Sequence, residues 1–216
     1  MGQKIHAKGY RIGVNIPWRS RWYAKGNEYT DKLHEDLKVR KFIKDRLQPA
    51  GVDSVVIKRP SNKIEIEVKV ARPGVVIGRG GSGIEELKEE LRKILNTKVD
   101  LTVSEVTNPD LSARIVARRI ADAIEHRALP KIAVAKEVEK IKAAGAKGLK
   151  IWVSGCIGGA QIARTDKVEW GSIPLQTLRA DIDFAREAPQ TVGFGIHGIK
   201  VWIYKGEVSE IKNNKE

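Results

Sequence analysis

Residues 78–83 read Gly78-Arg79-Gly80-Gly81-Ser82-Gly83, and so dense a run of glycine excludes the interior of a regular helix or strand. The run has to be a tight turn, so the fold depends on what flanks it. Upstream, Arg72-Pro73-Gly74 leaves only Val75-Val76-Ile77, enough for one short helical turn. Downstream, Ile84, Leu87, Leu91 and Leu95 recur at helical spacing, with Glu85 and Glu86 where the positive end of a helix dipole favours them.

The wider pattern is equally ordered. Tyr29, Leu33, Leu37, Phe42, Ile43 and Leu47 predict a long helix that stops at Pro49-Ala50-Gly51. Residues 54–59 read as a strand and Pro60-Ser61-Asn62 as a turn. Ile64, Ile66, Val68 and Val70 alternate in a second strand, and Val99, Leu101 and Val103 mark a third over 98–106. Helix, strand, strand, short helix, glycine turn, helix, strand is the order of a type II KH domain. There, a G-x-x-G turn lets a nucleic-acid backbone approach unobstructed by side chains. Gly78, Arg79, Gly80 and Gly81 fill that turn, and Gly80 and Gly81 are expected to be exposed.

A competing reading is the dinucleotide fingerprint, because Gly78-x-Gly80-x-x-Gly83 also fits it and Asp100 follows at about 20 residues. That motif needs a buried strand running straight into the glycines, and Val75 to Ile77 is too short. Nor does the chain supply the alternating strands and helices of a doubly wound sheet. No nicotinamide cofactor, or any other, is expected.

The second half opens with Asp110 as a candidate helix cap, a helix to about Arg127, and a second helix from Pro130 to Gly145. Four strands are expected after it, over 149–154, 162–169, 177–185 and a stretch ending at Ile203. The fold class is therefore α+β: a basic arm over 1–27, a KH domain over 28–107, and over 108–216 a domain of two helices on a four-stranded, mainly antiparallel sheet.

Charge points to the partner. The chain carries 40 Lys and Arg against 27 Asp and Glu, a net +13, and residues 1–49 alone hold +7. A polyanion is the natural ligand. In the arm, Lys4, Lys8, Arg11, Arg19, Arg21 and Lys25 interleave with Tyr10, Trp18, Trp22 and Tyr23. The cations suit phosphates. The aromatics serve either to stack on bases or to fill a groove as a strap. His6 lies in the same arm, and Arg72 and Arg79 flank or occupy the glycine turn. On later strands, period-two spacing puts Arg164 with Asp166, and Arg179 with Asp181 and Asp183, on common faces, which suggests cross-strand ion pairs. Arg164, Thr165, Lys167 and Arg179 are the expected RNA-binding residues there.

Catalytic and metal chemistry find little support. Cys156 is the only cysteine, and His34, His126 and His197 have no ligand spacing. No stretch approaches the ~20 apolar residues of a membrane helix, and the start lacks a signal-peptide core, so a cytoplasmic protein is expected.

Pro73-Gly74-Val75-Val76-Ile77-Gly78-Arg79-Gly80-Gly81, Gly145-Ala146-Lys147-Gly148, Ala163-Arg164-Thr165, and the run from Pro174 through Arg179 to Asp183 carry a resemblance to the bacterial small-subunit ribosomal protein S-three family. It implies a structural role in the head of the small subunit, bound to 16S rRNA and beside the neighbouring proteins S-ten and S-fourteen. It further implies that Lys131 and Lys136, separated here by Ile132 and Ala135 in place of further cations, meet messenger RNA where it enters, with Arg127 nearby.

Overall fold

The computed structural model describes residues 5–60, 63–191, 193 and 195–208. They form two compact units, one of residues 18–107 and one that joins the first seventeen residues to everything from Asn108 onward.

In the KH unit, α1 (Asn27–Arg46) leads into β2 (Val52–Lys58) and β3 (Ile64–Val70). α2 (Pro73–Ile77), α3 (Ser82–Leu95) and β4 (Val99–Glu105) follow. The sheet runs β1 (Ser20–Arg21), β2, β3, β4, with β2 antiparallel to β3 and β3 parallel to β4. Ile64, Ile66, Val68 and Val70 are all buried while Glu65, Glu67 and Lys69 point away, as period-two alternation requires. Leu87, Leu91 and Leu95 of α3 close over that face together with Val39 and Ile43 of α1. One strand escapes the sequence pattern: β1 (Ser20–Arg21) pairs in parallel with Ile57 and Lys58.

The other unit stacks α4 (Ala113–Glu125) and α5 (Pro130–Ala143) against a sheet of β5 (Gly148–Gly155), β6 (Arg164–Gly171), β7 (Ala180–Glu187) and β10 (Gly198–Glu207). The order is β6-β5-β10-β7, antiparallel throughout. Ile199, Val201 and Ile203 of β10 face the helices, packing with Val116, Ile120 and Ile124. Trp202 and Tyr204 face the opposite way and are buried with Ala7 and Ile182, so the chain's beginning covers the second side of the sheet. A small hairpin, β8 (Gln190–Thr191) with β9 (Gly195–Ile196), precedes β10. Ser112, not Asp110, caps α4: its hydroxyl accepts the Ile115 N–H, while Asp110 lies in the preceding turn and pairs with Arg119. Among the described residues no helix is long and apolar enough to cross a membrane.

Candidate nucleic-acid interface

The glycine turn is shaped by two separate demands. Gly78, Gly80 and Gly81 have φ of +70°, +65° and +86°, the left-handed region that other residues adopt at a cost. A Cβ on Gly80 or Gly81 would meet nothing within 4 Å, so both present bare main chain to an approaching strand. Gly80 is exposed and Gly81 half-buried. Gly83 answers the other demand: a Cβ there would lie 2.5 Å from the Val76 carbonyl oxygen, so its missing side chain lets α3 start against α2. Val75 and Ile77 stand exposed beside the turn. Arg72 is exposed and donates from Nη2 to the Pro49 carbonyl at 2.5 Å. The Arg79 side chain lies outside the described residues. Asp100, the acid of the dinucleotide reading, sits exposed on β4 with Lys63 at 3.2 Å.

Part of the arm is folded in, and one of its expected RNA contacts, Arg11, is corrected. Arg11 is fully buried and donates to the carbonyls of Ala7, Ala180, Leu175, Thr177 and Pro174 at 2.7–3.4 Å. All five acceptors lie in the second unit, and the side chain has no surface to offer a phosphate. Lys8 pairs with Asp183 at 2.7 Å, whose other oxygen accepts the Ala113 N–H at the start of α4. Burial would raise the Asp183 carboxyl, but Lys8 and that N–H outweigh it and hold it below the usual carboxylate range. Asp183 thus answers Lys8 and a helix start, in place of the arginine pairing its strand position suggested. His6 accepts the Gly9 N–H and meets Phe184 edge-on at 5.0 Å.

Trp22 is also tied down by an internal bond. Its indole N–H donates to Asp36 at 2.9 Å, and the same carboxylate accepts from Ser20 and from Arg59, whose guanidinium also grips Glu35 at 2.6 Å. Burial lowers the Arg59 guanidinium pKa, yet hydrogen bonds to Asp36 and Glu35 raise it overall. Arg40 reaches across to the carbonyls of Arg19 and Val55. Residues 19–22 are in this way stitched onto α1 and β2. Trp18, Arg21 and Lys25 remain exposed, and Lys4 lies outside the described residues.

In the second unit, Arg164, Thr165 and Lys167 are exposed on β6, and Arg179 is exposed just before β7. Lys131 and Lys136 are exposed on α5, and Arg127, in a left-handed conformation at φ +62°, is exposed between the helices. Lys131, Thr165 and Lys167 line one groove of about 550 Å³ between α5 and β6, which Lys136 does not reach. Lys142 lines it as well, a residue the sequence reading missed; its position eleven residues after Lys131 places both on one helix face. Among the described residues, no cluster of His, Cys, Asp or Glu is placed to hold a metal ion.

The profile of the ribosomal protein S3 C-terminal domain matches residues 120–203, and that of the KH domain matches 38–111. Small ribosomal subunit protein uS3 of Maricaulis maris is 48% identical over 216 residues, covering 100% of this chain and 92% of its own. The uS3 of Caldanaerobacter subterraneus subsp. tengcongensis is 47% identical over 208 residues, 96% of this chain and 94% of its own. That of Enterococcus faecalis is 44% identical over 216 residues, 100% of this chain and 98% of its own. The chain belongs to the uS3 family. Membership makes it a structural, RNA-binding component of the small ribosomal subunit and not an enzyme.

Proposed function

We propose that this uS3 chain binds 16S rRNA in the head of the small subunit, beside S-ten and S-fourteen, and touches messenger RNA where it enters, positioning it for translation in the cytoplasm. The reading is carried by the glycine turn, whose bare main chain at Gly80 and Gly81 offers an opening for a ribose-phosphate backbone. Exposed cations on the other unit, Arg127, Lys131 and Lys136, suit a passing single strand, and Arg164, Lys167 and Arg179 suit rRNA phosphates.

Two experiments test it. The purified chain should cosediment with small subunits at moderate salt, and recovery of the chain only in the free fraction would refute the assignment. Gly80→Asp together with Gly81→Asp should abolish what the turn binds while the circular dichroism spectrum is kept, because a Cβ at either position meets nothing within 4 Å. Unchanged RNA binding by that folded variant would exclude the turn.

A further inference from the structure

The two edges of the second unit's sheet are treated very differently. β7 is buried or half-buried along most of its length, whereas β6 is exposed at every residue except Asp166, which is half-buried. In an antiparallel pair, alternate residues turn both N–H and C=O outward, so an eight-residue edge strand presents about four unpaired main-chain positions. The α5–β6 groove lies along this edge. Four consecutive β6 residues line it, 165–168, and consecutive residues point to opposite faces. Only the strand's edge is common to all four. Lys167 illustrates this, because its ammonium lies on the far face, 5.0 Å over Trp152.

The side chains around the groove are of mixed charge, unlike the purely cationic lining a polyanion favours. Three lysines, Lys131, Lys142 and Lys167, are interrupted by two carboxylates, Glu139 and Asp166, and Val138 and Val168 supply apolar surface. Val168 and Trp170 share the helix-facing side of β6 and remain 39% and 38% exposed, so the helical layer stops short of the edge strand. Lys142 rests 5.1 Å over the Trp170 ring. Arg164, Asp166, Lys167 and Glu169 guard the strand against indiscriminate pairing, yet this apolar shelf is left uncovered.

We propose that β6 is completed by an extended segment of another small-subunit protein, which adds a fifth strand in the α5–β6 groove. Its main chain pairs with the β6 edge, one apolar side chain covers Val168 and Trp170, and an acidic side chain reaches Lys142. The proposal rests on the reading that the chain is a subunit constituent. The mixed charge of the groove favours polypeptide over RNA, whose phosphates would face Glu139 and Asp166.

Hydrogen exchange of the full chain tests this, compared free, bound to rRNA alone, and in subunits reconstituted with all their proteins. Alternate β6 amides should exchange fast in the free chain and with rRNA alone, and at least tenfold more slowly in the complete subunit. Protection by rRNA alone would make RNA the occupant and overturn the proposal. So would fast exchange in the complete subunit, or alternate β6 amides already protected in the free chain, which would mean that the chain's own residues cover the edge. Failure to enter the subunit at all would instead refute the assignment to the ribosome. As a second arm, Val168→Glu should lower incorporation at least tenfold with an unchanged melting temperature, and full incorporation would count against a covered shelf.

Discussion

Replacing Gly83 by alanine puts a methyl group 2.5 Å from the Val76 carbonyl oxygen and 3.2 Å from that of Ile77. Ordinary contact begins near 3.4 Å, so the first turn of α3 has to move by most of an ångström. Overpacking of this kind costs about 2 kcal/mol. Gly80→Ala meets no neighbour and carries only the penalty of φ +65°, about 1 kcal/mol. The order is therefore Gly83→Ala worse than Gly80→Ala, although Gly80 lies within the G-x-x-G turn and Gly83 beyond it. Native-state hydrogen exchange at Leu87 and Leu91, both buried on α3, reads the KH unit without interference from the other. Gly83→Ala should speed exchange there about thirtyfold and Gly80→Ala about fivefold. If Gly83→Ala matched the wild type, or Gly80→Ala proved the worse of the two, the division between a space-limited and a conformation-limited glycine would be refuted.

Arg11→Met removes the guanidinium donor from five carbonyls and should lower the stability of the second unit by about 3 kcal/mol in urea, read by fluorescence of buried Trp202. RNA affinity of the folded variant should not change. Asp183 has a lowered native pKa, so its contribution is complete above the ordinary value of ~3.9 and is lost as pH falls from there through the native value. Asp183→Asn should lower stability by about 2 kcal/mol at pH 7 and show a shallower acid decline; an identical acid limb would exclude Asp183 as its cause. Trp22→Phe should cost about 1 kcal/mol through the lost bond to Asp36 and leave RNA affinity unchanged, and a selective affinity loss would restore the stacking role. RNA affinity should fall steeply between ~50 and 200 mM salt, and a flat isotherm would contradict phosphate binding.

Elements with a regular period were legible in advance. Ile64 to Val70 and Ile84 to Leu95 announced β3 and α3, and the glycines between them announced the turn. β1 was not legible, because two residues, Ser20 and Arg21, carry no period. The second strand of the second unit begins two residues later than expected: Ile162 extends the apolar alternation, but it is 78% exposed and outside β6. Arg11 misled for a different reason. Basic and aromatic residues in series read as a gripping segment, whereas four of its five acceptors lie 163–169 residues away, beyond any local pattern. Lys131, Lys142 and β6 meet only because α5 runs beside the edge of the sheet, so their groove had no signature in the sequence.

The discontinuity of the second unit imposes an order on synthesis. Residues 18–107 emerge from the exit tunnel as an uninterrupted stretch and can collapse while the polypeptide is still growing. Arg11 emerges before them but finds its last acceptor only when Ala180 has been made, on the order of ten seconds later at bacterial elongation rates. Ala7 waits longer still for Trp202 and Tyr204. The first part of the molecule to be translated is thus among the last to be fastened, and a nascent chain halted before β7 would carry a finished KH module behind a loose leading end.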